Sequence, residues 1–180
     1  MNLEEKQIER KNIFEGKVIN VYHDRVLLPN GKTAFREIVA HKGGVCVLPI
    51  TDDNEIILVE QYRYPYSKTV LEIPAGKRDS LEEEPLSAAK RELLEEIGAT
   101  SDSFTFLGEL YPTPGYCGEV IYMYKAENLK FSAPCPDEDE FLNIIKIPFD
   151  KALEMVLNGQ LRDAKTQTAI LKAKLLKDDK

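Results

Sequence analysis

Two nearly unbroken apolar runs, residues 45–50 (VCVLPI) and 55–63 (EIILVEQYR), constrain the fold most. Both are apolar enough to be central strands, and Asp52-Asp53-Asn54 between them predicts a hairpin. Upstream, residues 16–28 and 33–40 flank Pro29-Asn30-Gly31-Lys32, a strong hairpin signal. The first dozen residues, MNLEEKQIERKN, read as a charged lead-in. Downstream come a short stretch at 69–74, then a helical segment from about 83 to 97, which Gly98 closes as a C-cap. Strands are expected at 104–110, 119–126 and 141–147, and helices at 149–157 and 166–177. The order strands, helix, strands, helix predicts a mixed-sheet α/β (α+β) architecture. Its crossovers are too few for a doubly wound parallel sheet.

The chain's 180 residues, 43% apolar and 31% charged, suffice for one domain with a small appendage. A chain of this length folds without disulfides or a structural metal. No stretch reaches the roughly 18 apolar residues of a membrane span. The charged N-terminus is unlike a signal peptide, so the expected location is the cytoplasm. Cys46, Cys117 and Cys135 are odd in number and lack CxxC spacing, which argues against a disulfide framework or a cysteine zinc site. A net charge of −7 opposes nucleic-acid binding by phosphate neutralisation. An acidic chain still binds a polyphosphate when divalent cations stand between the two.

Residues 74–99, PAGKRDSLEEEPLSAAKRELLEEIGA, carry the chemistry. At 3.6 residues per turn Glu92, Glu95 and Glu96 fall within about 100° of arc, with Leu86, Leu93 and Ile97 on the neighbouring face. Arg91, four before Glu95, is placed to hold that carboxylate, leaving Glu92 and Glu96 as a free pair. Two carboxylates one turn apart, without competing nitrogen or sulfur ligands, favour a hard cation such as Mg²⁺ or Mn²⁺. A solvated acidic helix face has the same composition, and the surrounding residues decide between the two.

Those residues resemble the box of the Nudix hydrolases. Its tail is matched by Glu83, seven residues, then Arg91-Glu92-Leu93-Leu94-Glu95-Glu96-Ile97-Gly98-Ala99. Six residues separate Gly76 from Glu83 where the family has five, so the loop carries one insertion. The resemblance implies a Nudix-type α/β/α sandwich and makes Glu92, Glu96 and the Ala75 carbonyl metal ligands. Glu95 becomes an additional catalytic participant oriented by Arg91.

Features outside the box resemble the ADP-ribose pyrophosphatase branch. Residues 59–65, VEQYRYP, place Arg63 to meet a phosphate or the terminal ribose, the plain alternative being a surface ion pair. Pro114 stands sixteen positions after Gly98, a spacing associated with that branch, and Glu119 follows as a contact for substrate hydroxyls or metal. Pro136-Asp137-Glu138-Asp139-Glu140-Phe141 resembles the branch's catalytic loop, with Glu138 as base and Glu140 as a metal contact. Residues 1–40 resemble a small antiparallel β-subdomain that mediates homodimerisation, with residues 41–180 as the hydrolase domain. There Arg36 would stack on adenine and Glu37 would bond its amine; pairing of Arg36 with Glu37 is the alternative.

The resemblance implies Mg²⁺-dependent hydrolysis of the pyrophosphate bond of ADP-ribose, or of a related nucleoside diphosphate sugar, by a homodimer. Hydrolysis of another sugar nucleotide or FAD, and a non-catalytic ADP-ribose-binding regulator, remain as alternatives.

Overall fold

A computed structural model describes residues 2–135 and 140–178. The chain divides into two compact units, residues 1–43 with 111–120, and residues 44–110 with 121–180.

The first unit is an antiparallel sheet of β1 (Lys6–Glu15), β2 (Ile19–Leu27) and β3 (Thr33–His41), in that order. Gly31, at φ +79°, turns β2 into β3, and its N–H donates to the Leu28 carbonyl at 2.9 Å. That is the hairpin read from Pro-Asn-Gly. The expected lead-in is instead strand β1. Every residue of it is exposed, so no apolar alternation announces it. Pairing to β2 from Lys6↔Leu27 to Glu15↔Asn20 supplies what periodicity does not. Arg10 pins the pair, donating from Nη2 to buried Asp24 at 2.7 Å and lying 4.4 Å from the Tyr22 ring centroid. Residues 111–120 dock on β3: the Val39 N–H donates to the Tyr116 carbonyl at 2.8 Å, and the Gly118 N–H to the Val39 carbonyl at 2.9 Å.

The second unit begins with β4 (Gly44–Pro49) and β5 (Glu55–Arg63). A 3₁₀ turn at Tyr64–Tyr66 leads to β6 (Lys68–Glu72) and β7 (Ala75–Lys77). Helix α1 (Pro85–Ile97) is followed by β8 (Ala99–Thr100), β9 (Ser103–Leu110), β10 (Ile121–Glu127), β11 (Lys130–Phe131) and β12 (Leu142–Pro148). Helices α2 (Phe149–Leu157) and α3 (Ala164–Asp178) close the chain. One sheet runs β7-β4-β10-β9, with β4 and β10 parallel; another runs β12-β5-β6, all antiparallel; β8 and β11 form a short pair. The expected β4–β5 hairpin does not form. Beyond a single bridge, Ile50↔Ile56, the two strands pass into different sheets. A tight Asp-Asp-Asn turn serves paired and diverging strands equally.

Alternation along the strands fills two cores. Val45, Val47, Ile57 and Val59 cluster with Ala88, Ala89, Leu93 and Ile97 of α1. Cys46, Leu48, Ile56 and Leu58 cluster with Phe149 and Ala152 of α2 and Ile170 and Ala173 of α3. Helices on both faces make the α/β/α sandwich and explain why β4 and β5 read as continuous apolar runs. Each fully buried Leu, Ile or Phe contributes about 1.5–3 kcal/mol. Among the described residues no helix is long and apolar enough to cross a membrane.

Helix α1 starts two residues later than expected. Pro85 suits a first turn but forces extended backbone on Glu84, whose carboxylate caps the helix by accepting from the Ser87 N–H at 2.7 Å. Gly98, at φ +63°, ends it in the left-handed region.

Candidate active site

The inner face of α1 sets Glu92 and Glu96 against β7. Glu92 is 6% exposed and Glu96 2%. The Ala75 N–H donates to Glu96 Oε2 at 3.0 Å. Gly76 faces Glu92 so closely that a Cβ there would stand 2.0 Å from the carboxyl carbon. Glycine at this bend is therefore a steric requirement of the carboxylate. Burying two acids side by side with no cation costs several kcal/mol per charge unless they protonate or find a counter-ion. Burial pushes Glu92 up to about 7, with Glu95 and Glu140 adding to the rise and Arg91 opposing it. Burial likewise pushes Glu96 up to about 8, against the Ala75 hydrogen bond and with help from Glu92 and Glu140. Glu140 thus lies close enough to act on both.

Arg91 joins more groups than the i,i+4 spacing suggests. Its Nη1 donates to Glu95 at 2.9 Å and also to Glu92 at 2.7 Å. Glu92 is therefore held rather than free, because a long guanidinium reaches back over its own turn. Nη2 donates to the Lys77 carbonyl at 3.1 Å, and Nε to Glu83 at 3.4 Å. Desolvation alone would lower the Arg91 pKa, but Glu92, Glu83 and Glu95 outweigh it and raise it.

Glu83 sits in the loop before α1 and braces the insertion. Its Oε2 accepts from the Asp79 N–H at 2.7 Å, and its carbonyl accepts from Arg78 Nε at 2.9 Å. The extra residue is thus absorbed in a loop tied to α1 through Arg91, leaving the helix in phase.

Arg63 lies in an ion pair. Nε and Nη2 donate to the two oxygens of Glu72 at 2.6 and 2.8 Å, while the Arg63 side chain keeps 38% exposure. Glu72 is buried and also accepts from Lys165, which donates to Asp163 at 2.9 Å. Burial alone would raise the Glu72 pKa; Arg63 and Lys165 overcome it and hold it below the usual carboxylate range. Sequence reasoning missed Glu72, Lys165 and Asp163. The available signal was an acid inside the apolar stretch LEIP, which demands a buried cationic partner.

Glu138 lies outside the described residues. Arg36 pairs with Glu5, donating from Nε at 2.9 Å, rather than with Glu37. Glu37 lines a pocket of about 490 Å³ in the first unit with Ile13, Val21, Tyr22, His23 and Tyr116. Pro114 belongs to the segment docked on β3, and Glu119 stands 3.5 Å from His41 Nδ1. Cys46 is inert, its thiol pushed up to about 12 by burial.

Among the described residues no group of three or more His, Cys, Asp or Glu side chains is arranged, as it stands, to hold a metal ion. The donors nevertheless suit a hard cation. Glu92 and Glu96 are buried oxygen ligands, the first offset only in part by Arg91 and the second by a single backbone N–H, and Gly76 clears the space around them.

Such a carboxylate pair on one helix, facing a glycine bend at a sheet edge inside an α/β/α sandwich, defines a class of protein, and the comparisons agree with it. A NUDIX domain match covers residues 40–168, and the chain belongs to the Nudix family. It is 44% identical over 171 residues to an ADP-ribose pyrophosphatase of Bacillus subtilis (strain 168), covering 94% of this chain and 92% of that one. It is 43% identical to a methanol dehydrogenase activator of Bacillus methanolicus over 93% of this chain and 91% of that one. A crystal structure of an ADP compounds hydrolase shares the fold, with a TM-score of 0.86 at 22% identity, covering 99% of this chain and 97% of that one.

Proposed function

We propose that this Nudix hydrolase cleaves the pyrophosphate bond of ADP-ribose to AMP and ribose 5-phosphate, or acts on a related nucleoside diphosphate sugar. The observation that carries the reading is the buried Glu92–Glu96 pair against Gly76. The 44% identity to an ADP-ribose pyrophosphatase directs it to this substrate. Glu92, Glu96, the Ala75 carbonyl and Glu140 would hold Mg²⁺, or Mn²⁺ in its place. Bound there, the cation supplies charge neutralisation for the diphosphate and activation of water.

The chain's own groups do the rest. Arg91 keeps Glu92 and Glu95 in place. Arg63 offers a permanent cation to a phosphate oxygen. Glu138 takes the proton from the attacking water as one phosphorus–oxygen bond of the bridge breaks. Arg36 and Glu37 hold adenine by stacking and by hydrogen bonding, Pro114 stiffens the pocket loop, and Glu119 bonds substrate hydroxyls.

The working protein is a cytoplasmic homodimer in this reading. Support comes from edge strand β1, which exposes Ile8, Ile13 and Phe14 among its charged residues, apolar surface that a second copy would cover. A second reading, regulation of a dehydrogenase, rests on the Bacillus methanolicus relative.

The test is a substrate panel of ADP-ribose, GDP-mannose, ADP-glucose and FAD with Mg²⁺ or Mn²⁺, scored by phosphatase-coupled phosphate release. ADP-ribose as best substrate supports the proposal. No release from any member favours a regulator without turnover.

A further inference from the structure

Glu72 and Asp163 are carboxylates whose oxygens are all engaged. Glu72 is 3% exposed; Oε1 accepts from Arg63 Nε, and Oε2 from both Arg63 Nη2 and Lys165 Nζ. Asp163 Oδ1 accepts from Lys165 at 2.9 Å. Asp163 Oδ2 caps α3, accepting from the Thr166 N–H at 2.9 Å and from its hydroxyl at 2.6 Å. Lys165 is 9% exposed and makes this row continuous from the first turn of α3 to Arg63. An Arg–Glu pair alone would cancel the charge of Arg63. With Lys165 and Asp163 included, the row carries two positive and two negative side chains, and the positive end of α3, which Asp163 caps, tips it slightly positive. Only Arg63, at 38% side-chain exposure, brings that charge to solvent, and Glu96 lies within its electrostatic range.

We propose that Glu72 and Lys165 are positioning residues for Arg63: Glu72 clamps one edge of the guanidinium, and Lys165 holds Glu72 charged and fixed so that Arg63 meets a substrate phosphate pre-oriented. The inference rests on the nucleoside diphosphate sugar reading above. An exposed arginine gives up side-chain entropy on binding an anion, and a clamp removes that cost beforehand. A purely structural network would act on stability alone.

The experiment compares wild type, Lys165→Met, Lys165→Arg, Glu72→Gln, Arg63→Gln and the Lys165→Met/Arg63→Gln double variant, using ADP-ribose with Mg²⁺. Lys165→Met and Glu72→Gln are expected to raise KM about tenfold with kcat within about threefold, the signature of lost uniform binding. Lys165→Arg restores KM to within about threefold, and Lys165→Met adds less than about twofold once Arg63 is gone. Additive effects in the double variant, or a lower melting temperature with KM unchanged, overturn the inference. A second arm needs no turnover: solvent exchange of the Arg63 Nε–H, followed by ¹⁵N NMR. Exchange accelerated about tenfold in Lys165→Met and Glu72→Gln supports the clamp, and unchanged exchange overturns it. Wild type inactive on every nucleoside diphosphate sugar would remove the proposed function while the exchange arm still decides the clamp.

Discussion

Gly76 and Glu92 share one small space: a methyl group on the glycine would lie 2.0 Å from the carboxyl carbon of the glutamate. The strand-to-loop bend and the acid on α1 therefore fit only as a pair. Gly76→Ala is expected to push Glu92 out of place and to lower kcat/KM by about 100-fold or more, the usual result of misplacing a reacting group by an ångström. Circular dichroism should show the fold retained, because the group that must give way is the end of a flexible side chain and not backbone. Near-wild-type turnover in a folded Gly76→Ala protein would contradict this relationship.

The raised acids predict how metal, protons and stability are linked. Glu92 at about 7 and Glu96 at about 8 both lie above the unfolded value near 4.3. The folded state then holds protons that the unfolded chain has already lost. The stability these groups contribute is full below about pH 4 and is lost as pH rises through 7 to 8. In EDTA the melting temperature should therefore fall from pH 6 to pH 9, with secondary structure intact at 25 °C. Saturating Mg²⁺ should flatten the slope, because the cation replaces the protons. Thermal melts across that range check it; a flat profile in EDTA would count against the buried pair.

Much of this was legible in advance because it is local. The α1 carboxylates follow from helical phase and Gly98 marks the helix end, whereas the start at Pro85 fell two residues after the expected one. Strand β1 was not legible, since its exposed residues carry no period and only the partner strand defines it. The β4–β5 connection misled because a short acidic turn does not encode whether its strands stay paired. Lys165 and Glu72 are 93 positions apart, and nothing between them announces the pairing. A placement by analogy is likewise silent on competitors: Arg36 found Glu5, not Glu37.

Thr166 ties α3 to the segment between β6 and β7, accepting from the Ile73 N–H at 2.9 Å in a fully buried position. Thr166→Val keeps the volume and leaves that N–H without its acceptor. The expected loss is about 1–3 kcal/mol, the cost of an unsatisfied buried donor. Urea denaturation measures it, and a loss under a few tenths of a kcal/mol would show that the backbone finds another partner.

Asp24 depends on Arg10, whose bidentate hydrogen bond first, against the cost of burial, holds the carboxyl below its usual range. Its contribution is present above the unfolded carboxylate value and is lost as pH falls through the lowered folded one. Arg10→Met should loosen β1, seen as faster amide exchange across residues 6–15 with the α1 amides unaffected. Uniformly unchanged exchange would mean that β1 is held by its backbone ladder alone.

The central claim is that Glu92 and Glu96 together hold the cation on which pyrophosphate cleavage depends. Glu96→Gln keeps the shape and the Ala75 contact but removes the charge, so its turnover of ADP-ribose at saturating Mg²⁺ is the most direct measurement. A fall in kcat of at least about 100-fold is expected, in a protein that melts no lower than wild type in EDTA. Full turnover by folded Glu96→Gln would contradict it.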